Sequence, residues 1–301
     1  MMNRLSFGTT ILLVLALGAL PGCGGEAGAS KGGYEGDRDA STSWDPGAYY
    51  PGADAATSTD TLPPEKEKEY EFGAPEGSPN FVFIPSAGTD MIVKVHGKTR
   101  SVTLIEVGDR PRTLKVVTGR DEAVVLNAGS DDVSIVRAGE DADEVVSVPV
   151  EPHANAIEID PAGRYAVVWY DHDRAATGDP VGSFQTVSVV RLEAGKEAAF
   201  RVSTGFRTRN VFFTDDGAKA LLVTDDGVGV LAFDKLAQDA IVPPIAVSAD
   251  PLDKPEDREV LATPDGRRVV VRASGKQGVT IVDLTDGTLA EVALPSVPTD
   301  L

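Results

Sequence analysis

The sequence predicts an all-β fold on the basis of three observations. From residue 80 onward it consists of short runs rich in Val, Ile, Phe and Thr, separated by Gly and Asp turns. No long stretch shows the apolar spacing of an amphipathic helix. The third observation is an internal repeat with a period of 41 to 54 residues, in which each unit holds about four such runs.

The repeat becomes visible when the apolar residue that opens each unit is aligned with its equivalents. The spacings between these openers are 43, 54, 49 and 41 residues, and a Gly-containing turn follows each of the first four. These turns read TGRD, DPAGR, TDDGA and TPDGR. A period near 40 to 50 residues with four strands per unit is typical of a β-propeller, because one blade can bury its two faces only against neighbouring blades. The openers are Leu114, Ile157, Val211, Val260 and Leu301.

Two stretches carry a resemblance to a known repeat family. FVFIPSAGTDMIVKVHGKTRSVTLIEVGDRP and PDGRRVVVRASGKQGVTIVDL resemble the YVTN-type, WD40-like repeat of β-propellers, and the resemblance extends over about 220 residues of the chain. YVTN-type propellers are usually seven-bladed, so the resemblance implies that about five blades of such a ring lie in this chain. The predicted blades are 80–113, 114–156, 157–210, 211–259 and 260–301.

The ends of the repeat region leave two interpretations open. The first blade is predicted to begin at its second strand, because nothing before Phe81 resembles an inner strand. Either the chain forms a five-bladed ring with a truncated closing strand, or the sequence stops short of the natural end. We favour the second interpretation, in which an uncovered strand edge would remain.

The first 22 residues predict an export signal. Arg4 supplies a short positive region, and residues 11–20 form an apolar segment that is too short to span a bilayer. The following LPGC resembles a bacterial lipobox, which implies cleavage before Cys23 and attachment of lipid to its thiol. The alternative is a chance cysteine in an ordinary secretory signal. Cys23 is the only cysteine of the chain, so it has no intramolecular disulfide partner.

These features predict a lipid-anchored lipoprotein of the bacterial cell envelope, at the outer membrane or on the periplasmic face. The membrane is thus one expected partner, reached through the lipid on Cys23. Residues 23–79 are rich in Gly, Ala, Ser, Asp, Thr and Pro and predict a flexible, disordered tether. The repeat domain is expected to occupy residues 80–301.

The net charge narrows the choice of further partners. The chain holds 47 Asp and Glu against 28 Lys and Arg, a formal charge of −19 at pH 7. Such a charge repels phosphate backbones, and we therefore expect no nucleic acid partner. Cations and basic protein surfaces remain compatible with it.

Two insertions lengthen the repeat at loops where propellers tend to carry functional residues. One is residues 171–185, between the second and third strands of the third blade, and the other is residues 248–258, between the fourth and fifth blades. The first contains three aspartates and a histidine, and carboxylate oxygens are suitable ligands for Ca²⁺. The EF-hand pattern is missing, however, so a solvated polar loop is the favoured interpretation and the metal site a weak alternative. The candidate metal ligands are Asp171, Asp173 and Asp179, and these three aspartates and His172 also belong to the candidate ligand-binding face.

A second set of candidates comes from the position two residues before each opener. Repeat symmetry places these side chains at equivalent points near the mouth of the central channel, where guanidinium groups can hold a carboxylate or phosphate. The favoured interpretation, however, is that each arginine pairs with an aspartate of a neighbouring blade turn. The residues at this position are Arg112, Asn155, Arg209 and Arg258. His153 lies on the same kind of loop and is a further candidate.

No catalytic motif emerges from the sequence. There is no G-x-S-x-G, no H-E-x-x-H and no cysteine in the repeat domain. We therefore expect a non-enzymatic binding or scaffold domain for a protein or cell-wall partner, without a cofactor. The alternative is a propeller enzyme, lactonase-like or quinoprotein-like, with a site in the central channel. A carbohydrate-binding module is disfavoured, because only Phe184 and Phe206 are aromatic on the relevant loops.

Overall fold

A computed structural model describes residues 70–250 and 252–299. The predicted leader, Cys23, most of the predicted tether and Leu301 lie outside the described residues. In the described part the chain folds into β-strands with three short 3-10 turns, and that part contains no helix that could cross a membrane. In chain order the strands are β1 Glu76–Gly77, β2 Phe81–Ser86, β3 Met91–His96, β4 Val102–Glu106, β5 Pro111–Val116, β6 Glu122–Asn127, β7 Asp132–Arg137, β8 Glu144–Pro149, β9 Ala156–Ile159, β10 Tyr165–Trp169, β11 Thr186–Arg191, β12 Ala198–Ser203, β13 Asn210–Phe213, β14 Lys219–Thr224, β15 Gly227–Ala232, β16 Ala240–Ile241, β17 Pro244–Ile245, β18 Arg258–Ala262, β19 Arg268–Ala273, β20 Gly278–Asp283 and β21 Leu289–Ala293.

These strands form five sheets, each with four antiparallel strands that follow one another along the chain. We call them blade 1 (β1–β4), blade 2 (β5–β8), blade 3 (β9–β12), blade 4 (β13–β15 and β17) and blade 5 (β18–β21). Strand β16 adds to blade 3 by pairing in parallel with β12. The all-β, propeller-type prediction is therefore confirmed.

The repeat alignment located the first strand of four blades. Leu114 lies on β5, Ile157 on β9, Val211 on β13 and Val260 on β18. The alignment succeeds because each opener is an apolar residue on an inner strand, where it packs against the neighbouring blades.

The prediction that blade 1 begins at its second strand is wrong. Glu76 and Gly77, within the segment assigned to the tether, pair with Phe83 and Val82 of β2. The sequence pattern does not reveal this first strand, because the strand has only two residues and neither is apolar.

Each boundary between neighbouring blades is filled by its own cluster of apolar side chains. The second and third strands contribute most of these residues, as in blade 2, where every residue of β6 is buried and most of β8 is exposed. Leu126 lies in the cluster between blades 2 and 3, and Trp169 in the cluster between blades 3 and 4; each is 1% exposed. Burial of such a side chain contributes about 1.5–3 kcal/mol, so these four clusters account for much of the stability.

The outer faces of blades 1 and 5 lie outside these clusters. Val102 and Leu104 of β4 are 64% and 57% exposed, and Leu261 of β18 and Val292 of β21 are 46% and 40% exposed. Both faces therefore carry apolar side chains in contact with solvent.

The first turn of each blade joins its first and second strands, and the end of the blades where these turns lie is called the turn end. Arginines at the turn end connect one blade to the next. Arg120 of blade 2 donates to the carbonyl oxygens of Ala162 and Gly163 in blade 3, each at 3.0 Å. Arg164, the equivalent residue of blade 3, donates to the carbonyl of Gly217 in blade 4 at 2.6 Å. The first turns of blades 3 and 4 are thus each held by the blade that precedes them.

An aspartate makes the corresponding connection between blades 1 and 2. The carboxylate of Asp121 accepts hydrogen bonds from the Ser78 hydroxyl at 2.7 Å and from the backbone and side-chain nitrogens of Asn80 at 2.9 and 2.7 Å. Partial burial works to raise the pKa of Asp121, but the hydrogen bonds from Asn80 and Ser78 outweigh it and hold the pKa below its usual value.

A glycine in the first turn allows neighbouring blades to approach closely. Gly163 has a φ of +64°, and a Cβ at this position would clash with Cγ1 of Val117 in blade 2. The equivalent Gly119 of blade 2 has a φ of +73°, but no described atom lies within 4 Å of the place a Cβ would occupy. The close approach recurs at the next two boundaries, with Gly217 facing Asp160 and Gly266 facing Thr214.

Replacing Gly163 with alanine is expected to lower the free energy of unfolding by about 2–5 kcal/mol. The left-handed backbone costs about 1–2 kcal/mol, and forcing a methyl group into the packed boundary adds about 1–3 kcal/mol. Gly119→Ala carries the backbone cost without the clash and is expected to lose only about 1–2 kcal/mol. Urea unfolding of both full-length variants, followed by circular dichroism, checks this. Equal losses would contradict a tight boundary at Gly163.

Candidate functional site

The first insertion lies at the end of blade 3 opposite its first turn. It connects β10 to β11, and strand pairing puts the start of β9 and the end of β12 at the same end, since Trp169 pairs with Ala156 and Thr186 pairs with Ser203. The connections between blades 2 and 3 and between blades 3 and 4 therefore meet the insertion. We call this the insertion-bearing end; both insertions have the positions expected from the sequence.

Asn155 and Asp171 fix the point where the insertion leaves the sheet. Asn155 Nδ2 donates to the carbonyl oxygen of Asp171 at 2.9 Å, and its Oδ1 accepts from the Asp171 backbone at 2.7 Å. The buried Asp171 carboxylate then accepts from the backbone of Asp173 at 3.0 Å and caps the 3-10 turn His172–Arg174. It also pairs with Nε of Arg174 at 3.0 Å.

Two arginines from the adjoining blades hold the insertion from both sides. Arg112 of blade 2 pairs with Asp179 of the insertion, with 3.4 Å between Nη1 and Oδ2. Arg209, which directly precedes β13 of blade 4, pairs with Asp173 of the insertion at 2.6 Å. The insertion of blade 3 is therefore fixed to blades 2 and 4.

The ion pairs continue into blade 5. Nε of Arg209 donates to Asp225 at 2.5 Å, while Arg258 donates from Nε to Asp253 at 2.5 Å and from Nη1 to the Asp225 carbonyl at 3.0 Å. Partial burial works to lower the pKa of Arg209, but its hydrogen bond to Asp225 and the charges of Asp225 and Asp173 outweigh this and raise the pKa above its usual value. We call these seven residues the ionic belt: Arg112, Asp179, Asp173, Arg209, Asp225, Arg258 and Asp253.

Each of Arg112, Arg209 and Arg258 has an aspartate partner. The three guanidinium groups thus contact different carboxylates of the chain, and an anion held by them stays a prediction. The carboxylates considered for a metal are likewise engaged by different arginines, Asp173 by Arg209 and Asp179 by Arg112. Within residues 70–250 and 252–299 no group of three potential ligating side chains converges on one point.

The structure brings four of the predicted residues to one cavity between blades 2 and 3. Arg112, His153, Asn155 and Asp179 line a space of about 280 Å³ at the insertion-bearing end. His172 lies apart from it and contacts the ring of Phe184 edge-on at 5.9 Å.

An aromatic cluster at the same end was not foreseen. Phe184 of the insertion lies 5.4 Å from Phe206 of the next connection, and the guanidinium of Arg207 stands over both rings at 5.5 and 5.2 Å. Cation–π contacts of this kind contribute about 0.5–1 kcal/mol at exposed sites. The sequence shows two isolated phenylalanines, and only the return of the insertion onto the following connection brings them together.

No protein-family model matches the sequence, and no curated protein matches it. Among solved structures, the β-propeller domain of Cps50 (Swd1) from Myceliophteria thermophila matches at 11% identity and a TM-score of 0.44, over 75% of this chain and 74% of that one. Hsv2 from Kluyveromyces lactis matches at 14% identity and a TM-score of 0.44, over 76% and 75%. Hydrazine synthase from Kuenenia stuttgartiensis matches at 19% identity and a TM-score of 0.45, over 80% and 70%. These matches carry no information about the activity of this chain.

Replacing Arg209 with methionine is expected to release the insertion, because Asp173 loses its partner and the nearly buried Asp225 is left uncompensated. Trypsin cleavage after Arg174 should become about tenfold faster, the effect of a local opening that is easier by about 1.4 kcal/mol. The matched control is Lys196→Met, which removes an exposed pair with Glu193 at the far end of blade 3. Cleavage at the same rate in both variants would show that the belt does not restrain the insertion.

Proposed function

We propose that this chain is a lipid-anchored envelope lipoprotein whose YVTN-like propeller is a non-enzymatic binding domain. The insertion-bearing end contacts a protein or cell-wall partner, and the lipid on Cys23 keeps the domain at the membrane. Cys23 and the tether connect the domain to that surface, as the lipobox resemblance implies.

The observation that carries the proposal is a loop held in place while its apolar side chains remain exposed. The insertion is fixed to the adjoining blades by Arg112 and Arg209, yet Val181 within it is 63% exposed. At the same end Phe206 is 37% exposed, and Leu252 of the second insertion is 85% exposed. A pre-ordered surface with apolar side chains loses little conformational entropy when a partner covers it.

The rival hypothesis is a lactonase-like or quinoprotein-like enzyme with its site in the central channel. Such a site needs a general base whose carboxylate or imidazole is free to reach the substrate. The carboxylates of Asp173, Asp179 and Asp225 are instead each bound to an arginine. This engagement favours a structural role for them and so favours the binding domain over the enzyme.

Replacement of Cys23 by alanine is expected to abolish incorporation of a labelled fatty acid into the chain in bacterial cells, because the thiol is the proposed acceptor. Gly25→Ala, two residues away, should leave the labelling unchanged. Labelling that persists without the thiol, or a mature chain that carries no lipid, would exclude the anchor.

The binding surface can be mapped with a photoreactive amino acid placed in the intact chain. At Val181 it should cross-link one defined envelope component in cells, whereas at the exposed Asp234, at the far end of blade 4, it should not. Phe206→Ser should weaken the Val181 adduct several-fold without loss of the folded chain. No adduct at Val181, or the same adduct at both positions, would overturn the proposed surface.

A further inference from the structure

The cavity between blades 2 and 3 combines an apolar floor with a cationic rim. Its floor is made by Leu126, Ala154 and Tyr170, which are 1%, 4% and 5% exposed. A volume of about 280 Å³ lies at the lower limit of small-molecule sites, so the space accommodates a group about the size of one amino-acid side chain.

Three arginines and one aspartate lie at the rim. Arg110, Arg112 and Arg174 face the cavity together with Asp179. This excess of positive charge stands in a chain whose formal charge is −19. Guanidinium groups gathered at one rim are suitable donors to an anion.

The three arginines differ in how far they are already engaged. Arg112 meets Asp179 at 3.4 Å, and Arg174 meets Asp171 through Nε at 3.0 Å. Arg110 forms no ion pair with any described residue, although its backbone nitrogen donates to Asp90 at 3.0 Å. Its position is therefore fixed by the backbone, and its guanidinium is available to a ligand.

We propose that this cavity binds a carboxylate attached to an apolar body. The carboxylate accepts hydrogen bonds from Arg110 and Arg112 at the rim, and the apolar body covers Leu126 and Tyr170. A guanidinium matches the two oxygens of a carboxylate, and apolar contact with the floor adds affinity that a small inorganic anion cannot gain. The proposal deepens the proposed binding role by giving the chemistry of the ligand.

The test uses the full chain and isocaproate, a branched apolar carboxylate, with ligand-observed NMR as the readout. The expected dissociation constant is about 1 mM, because a ligand of few atoms makes few contacts. Isocaproamide, which has the same shape without the charge, should bind at least about tenfold more weakly, as should isocaproate to Arg110→Met or Arg112→Met. Arg267→Met removes an exposed arginine from the first turn of blade 5, away from the cavity, and should not change the affinity.

Equal binding of the acid and the amide, equal binding to Arg110→Met, or no binding of isocaproate would overturn the proposal. A pentapeptide with C-terminal leucine, compared with its amidated form, distinguishes the two sources of such a carboxylate. Tighter binding of the free-ended peptide than of isocaproate identifies a chain terminus, and weaker binding identifies a small free acid; either result supports the proposed chemistry. The NMR experiment needs no cellular partner. A negative NMR result would therefore overturn the cavity ligand alone, whereas a negative cross-linking result at Val181 would overturn the proposed binding surface.

Discussion

A four-stranded sheet with apolar side chains on both faces is stable only when each face is covered, and this constraint governs the molecule. Val124 and Leu126 of β6 face blade 3, while Ala123 and Val125 of the same strand face blade 1. One strand therefore contributes to two cores, so no blade can be moved without exposing its neighbours.

Close packing of the blades also explains why the two ends of the sheets differ. At the turn end, glycines and short turns bring the backbones together, and Arg120 and Arg164 bind carbonyl groups of the following blade. At the insertion-bearing end two connections are lengthened by the insertions, and ion pairs between side chains link the blades there. The ionic belt is thus the counterpart of the turn contacts, and it leaves room for a cavity and for exposed side chains.

The sequence predicts those parts of the fold that follow a repeating local pattern. The openers Leu114 and Val260 recur with a turn at a fixed distance, so the blades could be placed along the chain. The short strand Glu76–Gly77 has no apolar alternation, and Ala240–Ile241 pairs in parallel across a long separation, so neither leaves a local signal.

The candidate site was predictable only as a set of positions. Repeat symmetry placed Arg112 and Arg209 at the correct end, but which aspartate each would meet depends on the path of a fifteen-residue loop. That path has no counterpart in the other blades, so the repeat carries no information about it. The same limit applies to Phe184 and Phe206, which lie 22 positions apart and meet only because the insertion folds back.

The charge balance of the insertion-bearing end gives Arg110 a different status from its neighbours. In a chain with 47 acidic residues, a guanidinium near an aspartate reaches it at little cost, as Arg112, Arg209 and Arg258 do. Arg110 holds a left-handed backbone with a φ of +54°, and its backbone nitrogen donates to the Asp90 carboxylate at 3.0 Å. This contact holds the main chain, while the guanidinium forms no ion pair with any described residue. The Arg110 guanidinium can therefore bind an anion without breaking an ion pair and without a rearrangement of the backbone. The arginines of the ionic belt, in contrast, are already paired with aspartates.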